Sequence, residues 1–400
     1  MISVAEAFEI ILKEKRDFGT ELIPFEEAQG RILSQDILAD RDFPPFDRVT
    51  MDGIAIQYES FENGNRTFKI QATQSAGQTP IELTDNNDCI EIMTGAVLPL
   101  NTDTVIRYEY LEIKNNIATL KVDFIKPNQN VHHKGSDRKQ GAILIKANKL
   151  IAAAEIGVMA SVGCVNVEVK KLPKIVVLST GDELVNVNEQ PKQHQIRRSN
   201  NYSIAAVFEK YKLKVHQLHL NDNEIEIEKT VRELLEAYDT LILSGGVSMG
   251  KFDFLPSVLK KLEVKQLFHK IKQRPGKPFL FGKSKSEKLV FALPGNPVSS
   301  FMCTYRYVLP WLRACLGLIP IPKKLGQLTE DITFKPSLTY YMQVSINENE
   351  YGLKSATPVK QGGSGDQIGL VDSDAFMEMP ADRIDFKENE IFPIIIIRDI

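Results

Sequence analysis

Residues 240–250 read Thr240-Leu241-Ile242-Leu243-Ser244-Gly245-Gly246-Val247-Ser248-Met249-Gly250. A short apolar run stops at a polar residue and two adjacent glycines. This is the pattern of a buried strand whose carboxyl end opens into a loop ahead of a helix. It recurs nearby. Lys174–Leu178 runs into Ser179-Thr180-Gly181-Asp182-Glu183, and residues 213–220 run into Asn221-Asp222-Asn223. Leu289–Leu293 runs into Pro294-Gly295-Asn296-Pro297-Val298-Ser299. Helical patterns fall at 200–211, at 224–237 with Ile225, Val231, Leu234 and Leu235 inward, and from Pro297 to about Gly317. Strands alternating with helices predict a parallel sheet covered on both faces, in a domain spanning 173–325.

The flanks read differently. The chain opens with an amphipathic helix carrying Val4, Ala7, Phe8, Ile11 and Leu12 on one face. Pro44-Pro45 excludes a regular element there, and a helical pattern returns at 150–163. Residues 1–52 therefore group with 140–172 as a helical and linker region. Short alternating runs separated by turn residues make 53–139 a small β domain and 326–400 a second one. The expected fold class is α/β plus β in a multidomain chain.

Composition narrows the function classes. The 400 residues are 43% hydrophobic and 25% charged, with a formal net charge of -3. An ordinary globular chain of this charge lacks the basic footprint of a nucleic-acid binder. Cys89, Cys164, Cys303 and Cys315 form no CxxC pair, as expected of reduced thiols in an intracellular protein. The N-terminal helix is interrupted by Glu6, Glu9, Lys13 and Glu14, unlike a signal peptide. The apolar stretches 151–165 and 392–397 fall short of the roughly 20 residues that span a bilayer. A cytoplasmic protein without membrane or nucleic-acid partners is expected.

In an open α/β sheet, ligands bind at the carboxyl ends of the strands. Gly245-Gly246 frees backbone N–H groups to converge on an anion, and the following helix points its positive end there. Pro297 suits a first helical position, Asn296 an N-cap, and Gly295 a close approach by ligand. Asp182, Glu183, Asp222 and Asp253 all fall at strand ends. Carboxylates beside an anion site are costly unless a cation lies between them, and Mg²⁺ takes oxygen ligands and bridges to phosphates. Arg274-Pro275-Gly276-Lys277-Pro278 holds two cations on a rigid turn, suited to an oxyanion. Met51-Asp52-Gly53, Met93-Thr94-Gly95 and Gly135-Ser136-Asp137 each read singly as ordinary turns. His132 and His133 are adjacent and point apart if extended, so they do not suggest a metal site. No P-loop or nucleophile elbow occurs.

The order of these blocks resembles one family. PPFDRVTMDGIA, IMTGAVLPLNTDTV, STGDEL, SGGVSMGKFD, RPGKPFLFG, LPGNPVSS and GGSGDQIGLVDSDAFMEMP are similar, in sequence order, to motifs of the molybdopterin molybdenumtransferases, which include bacterial MoeA and the gephyrin E domain. The resemblance implies an elongated four-domain homodimer with an α/β domain like the molybdopterin adenylyltransferases. It implies an enzyme of molybdenum-cofactor biosynthesis that takes adenylylated molybdopterin and molybdate with Mg²⁺, and releases AMP. On it, Glu183, Asp222 and Asp253 would hold the metal, and Arg274 and Lys277 would hold molybdate or neutralise the leaving phosphate. Thr180, Gly181, Asp182, Ser244, Gly245, Gly246, Ser248, Gly250, Pro294, Gly295, Asn296, Pro297 and Ser299 would bind the substrate. Asp52, Thr94 and Asp137 would join the catalytic set from the partner subunit. The adenylyltransferase and apo-molybdoenzymes are further expected partners. Four positions depart from the family pattern: Arg274 for Lys, His132 for Arg, Glu91 for Arg and Ile54 for Tyr. Two other readings remain open: adenylylation of molybdopterin, and a non-catalytic scaffold like the gephyrin E domain.

Overall fold

The computed structural model describes residues 1–247, 253–322, 324–360, 362–363 and 365–398. The central sheet contains β1 (Ile175–Thr180), β2 (His216–Leu220), β3 (Thr240–Ser244), β4 (Lys265–His269), β5 (Leu280–Lys283) and β6 (Leu289–Leu293), in the order β2-β1-β3-β6-β5-β4. The first three strands and β6 run parallel. Strands β4 and β5 are antiparallel, which corrects the expectation of a wholly parallel sheet. The reason is connection length. Only residues 284–288 join β5 to β6, too few for the crossover that a parallel neighbour requires.

Six helices serve this domain: α1 (Val4–Lys13), α2 (Asn200–Phe208), α3 (Glu224–Ala237), α4 (Leu255–Lys261), α5 (Pro297–Cys303) and α6 (Leu309–Cys315), the last two joined by a π-helical turn. Alternate strand residues face opposite layers, as the pleat dictates. Val177, Ile242 and Phe291 pack with α1, α2 and the 297–316 helical stretch around buried Trp311. Val176, Leu241 and Val290 pack with α3 and α4. Helix α1 is set by a capping box between Ser3 and Glu6 and buries Val4, Ala7 and Ile11 in the first of these layers. It thus joins the α/β core, apart from the 140–172 segment. In α3 the inward set is Ile227, Val231, Leu234 and Leu235, while Ile225 is 83% exposed. Asn223 caps the Ile225 and Glu226 N–H groups, so Ile225 falls about 200° around the helix from Ile227.

Two antiparallel chain segments carry the N-terminal part. Residues 20–24 pair with 166–170, 37–38 with 143–145, and 48–49 with 131–132. Their core includes Leu33, Ile37, Met159 and Val167, with Met159 supplied by the helix Ala153–Ser161. Between them lies a six-stranded sheet drawn from 53–120.

The C-terminal strands Leu325–Leu328, Thr339–Glu348, Lys354–Pro358, Ala375–Met379 and Ile391–Ile396 pair in a closed circuit. Closure leaves no free sheet edge. This barrel shares the α/β core through Tyr341, Phe376 and Ile395. Buried Arg306 crosses the junction. Its Nε donates to the Tyr341 hydroxyl at 2.9 Å and to Glu378 Oε2 at 3.2 Å. Arg306→Ala is expected to lower unfolding free energy by about 2–3 kcal/mol, near the low end for a buried pair because Glu378 still meets water. Hydrogen exchange in the barrel and α/β strands checks this domain by domain, and a loss below about 1 kcal/mol would reject the clamp. Among the described residues, no helix is long and apolar enough to cross a membrane.

Candidate active site

A cleft of about 700 Å³ opens at the carboxyl ends of β1, β2, β3 and β6. It contains Thr180, Gly181, Glu183, Asp222, Ser244, Gly245, Gly246, Asp253 and the 294–297 loop. The four strand ends singled out in the sequence therefore converge. Ser248 and Gly250 lie outside the described residues.

The glycines allow the loops to touch. Gly245 and Gly246 have φ of 97° and 63°, where side chains are strained. A Cβ on Gly246 would lie 2.9 Å from Thr180 Oγ1, and one on Gly295 would lie 3.4 Å from the Gly245 Cα. The Asn200 side-chain amide ties the loops together, donating to Ser244 Oγ at 2.9 Å and to the Gly295 carbonyl at 2.8 Å. Pro297 opens α5 and Asn296 occupies the N-cap position, but its side chain makes no capping hydrogen bond. Ser299 is buried inside α5 and does not line the cleft.

One wall is acidic. The Asp222 N–H donates to Asp182 Oδ1 at 3.0 Å. Asp182 thus positions the Asp222 loop without lining the cleft itself. Burial pushes the Asp222 carboxyl above the usual aspartate range, and the charges of Asp182, Glu183 and Asp253 push it further. Among the described residues, no three His, Cys, Asp or Glu side chains gather closely enough to hold a metal ion by themselves. The expected Glu183–Asp222–Asp253 cage is therefore not pre-assembled. Mg²⁺ commonly uses one or two carboxylates and completes its shell with water and substrate phosphates. The acidic wall fits that mode.

Arg197 and Arg198 also line the cleft. Sequence reading passed over them as part of a polar loop. Residues 184–185 pair in parallel with 196–197, which folds the loop back over the strand ends. Arg198 Nε is buried without a hydrogen-bond partner among the described residues. Two adjacent arginines immediately before Ser199, the N-cap of α2, were the available signal. His219 was also missed. It sits behind the wall with Nδ1 3.1 Å from Ser179 Oγ, and burial holds its pKa below the usual histidine range.

The N-terminal candidates form clusters elsewhere. The Thr94 N–H donates to Asp52 Oδ1 at 2.6 Å, holding the Asp52 carboxyl below its usual range. Asp137 lies 2.8 Å from His132 Nε2, and Arg48 lies 3.2 Å from His132 Nδ1. Arginine only donates, so Nδ1 accepts and Nε2 carries the proton toward Asp137. His133 faces a different carboxylate, Asp47. Glu91 accepts from the Thr73 and Tyr108 hydroxyls, so this departure is absorbed within the β domain. None of Asp52, Thr94 or Asp137 lines the cleft of its own chain. Arg274 and Lys277 do not line it either, although Pro278 of the same turn does. The turn is not a free hairpin tip, because Gln273–Arg274 pairs with Thr339–Tyr340 of the barrel. Gly365, from the C-terminal Gly-Ser-Gly block, reaches the cleft rim.

Comparison with known proteins covers the whole chain. Residues 2–163 match the MoeA N-terminal region (domain I and II), 176–314 a probable molybdopterin binding domain, and 326–397 the MoeA C-terminal region (domain IV). A molybdopterin molybdenumtransferase from Synechocystis sp. is 39% identical over 98% of this chain and 99% of its own. One from Staphylococcus aureus is 30% identical over 99% and 95%. The solved structure of a molybdopterin biosynthesis MoeA protein from Pyrococcus horikoshii superposes with a TM-score of 0.83 at 28% identity, covering 100% of both chains.

Proposed function

The chain belongs to the molybdopterin molybdenumtransferase family, and from that membership we infer that it inserts molybdenum into molybdopterin at the cleft just described. The substrates in this proposal are adenylylated molybdopterin and molybdate, and the products are the molybdenum cofactor and AMP. The observation that carries it is one cleft holding two glycine loops, an acidic wall and two arginines. The main-chain N–H groups of Gly246 and Gly295, on the two loops, suit phosphate oxygens. Arg197 and Arg198 balance the phosphate charge from the other side. Held by one or two of Glu183, Asp222 and Asp253, Mg²⁺ would supply charge neutralisation at the phosphoanhydride. Arg274 and Lys277, on the turn whose Pro278 lines the cleft, would hold molybdate by charge. The thiolates that take molybdenum belong to the ligand. Cys303 is buried, with its thiol pushed up to about 12, and supplies no nucleophile.

The direct test supplies adenylylated molybdopterin, molybdate and Mg²⁺, then measures AMP and the reactivation of an apo-molybdoenzyme together. Both are expected. AMP without reactivation would mean hydrolysis alone and would reject the transfer.

Within one chain, Asp52, Thr94 and Asp137 stay outside the cleft. The proposal is that a second copy brings them, in a twofold dimer with two shared sites. Asp52→Ala and Asp222→Ala chains, each inactive alone, are then expected to regain about a quarter of full activity when unfolded, mixed equally and refolded. Random pairing makes half the dimers mixed, and each mixed dimer has one intact site of two. No recovery in well-folded mixed dimers would place the whole site in one chain.

A further inference from the structure

A second crevice, of about 540 Å³, lies between the α/β domain and the barrel. Among the described residues, it shares no lining residue with the active-site cleft. Its walls are the end of α2, the helical stretch through Tyr305 and Leu309, linker residues 320–322 and 324, and the last barrel strand. Val207, Leu309 and the isoleucines at 394–397 make the floor apolar. Among the described residues, five cations line it: Lys210, Arg313, Lys324, Lys354 and Arg398. Among the described residues, no Asp or Glu lines it, in a chain that is acidic overall.

The cations are placed but largely uncompensated. Arg313 donates from Nε to the Ile319 carbonyl at 2.8 Å and from Nη1 to the Tyr211 hydroxyl at 2.5 Å. Arg398 donates to the Leu370 carbonyl at 2.8 Å. These acceptors are neutral, so they orient each guanidinium without cancelling its charge. Lys354 pairs with Glu348. Lys210 lies 5.7 Å from the Tyr211 ring. Neither Lys210 nor Lys324 is in an ion pair among the described residues.

We propose that this crevice is a second ligand site, for a small organic anion with an apolar body and a carboxylate, sulfonate or phosphate head. An apolar cavity with a few convergent polar groups, at a domain junction, is the usual form of a small-molecule site. Like-charged side chains gathered around an apolar floor repel one another, and an amphipathic anion removes that cost while burying its body. The acidic cleft needs a cation to accept an anion, whereas this crevice needs none.

The probe is 8-anilinonaphthalene-1-sulfonate, titrated by fluorescence into the full-length protein. One site per chain is expected, unchanged by EDTA and weakened by salt. Lys324→Glu and Arg398→Gln are each expected to weaken the probe about tenfold, and together more. Reversing the Lys324 charge breaks no ion pair among the described residues, so the fold stays intact, which thermal melting confirms. The uncharged N-phenyl-1-naphthylamine is expected to be insensitive to both variants. Probe affinity within twofold of the parent in the double variant would overturn the site. Binding of an acidic, leucine-containing peptide without binding of the sulfonate would overturn it in favour of a peptide groove.

Discussion

Asp222→Asn is expected to reduce molybdenum transfer by roughly 10²–10³-fold, the scale for losing one charge-stabilising group at a reacting centre, while making the protein more stable. The two effects share a cause. Asp222 is pushed above the usual aspartate range by burial, against an opposing hydrogen bond from the Asp182 main chain and with the charges of Asp182, Glu183 and Asp253 adding to the rise. Below its unfolded value of about 3.9 the residue is protonated in both states and costs nothing. As pH rises through that value toward the higher folded value, the unfolded chain releases its proton first. Stability contributed by the protonated carboxyl is therefore lost over that window, and the penalty is complete once the pH lies above the folded value. Asparagine removes it, and a rise in melting temperature of roughly 1–4 °C is expected. Mg²⁺ should raise the melting temperature of the parent more than that of the variant, because the cation relieves the same repulsion. Unchanged activity, or a variant that melts lower with equal response to Mg²⁺, would reject the assignment of Asp222.

Among the described glycines, Gly53→Ala is expected to be the most damaging change to alanine, with a loss above about 4 kcal/mol in the N-terminal β domain. Gly53 pairs with Ile92 on one side and Arg107 on the other. A Cβ there would lie 1.9 Å from the Ile106 carbonyl oxygen and 2.8 Å from the Arg107 Cα. Both obstacles are backbone in a paired strand, so relief requires breaking the ladder. Hydrogen exchange resolves the effect by domain, since a multidomain chain does not unfold in two states. Protection should collapse within 53–120 and persist in the α/β strands. Loss of under 1 kcal/mol in the β domain would show that the strands part easily. The neighbouring Asp52 gives a contrast: Asp52→Ala removes a carboxylate from an exposed turn and should leave that protection intact.

Gly53 shows how one motif carries two meanings. By itself Met51-Asp52-Gly53 reads as an ordinary turn, and only the family resemblance gives it a functional meaning. The glycine is explained by a carbonyl across the sheet, and the aspartate is left for chemistry. The same division runs through Ser244-Gly245-Gly246. Gly245 and Gly246 need positive φ, and a side chain on Gly246 would strike Thr180. Close packing and anion binding thus favour the same residues, which is why such loops stand out in the sequence alone.

The strand ends, the helices between them and the ordered motifs were legible because they depend on local periodicity and turn chemistry. Strand polarity at the sheet edge, closure of the barrel and the place of α1 were not, because each depends on pairing between distant segments. Arg197 and Arg198 were missed for a related reason. Nothing local to a polar loop says that a two-residue pairing, 184–185 with 196–197, folds it over four strand ends. The sequence by itself determined the α/β domain and the carboxylates and glycines at its strand ends, since those follow from periodicity and spacing along the chain, and its ordered motifs carried the resemblance to the family. Only the tertiary structure decided that Asp182 supports Asp222, that the acidic wall is not a ready-made metal cage, and that Asp52, Thr94 and Asp137 stand apart from their own chain's cleft. Those outcomes turn on distances between side chains far apart in sequence, which packing sets and spacing does not encode.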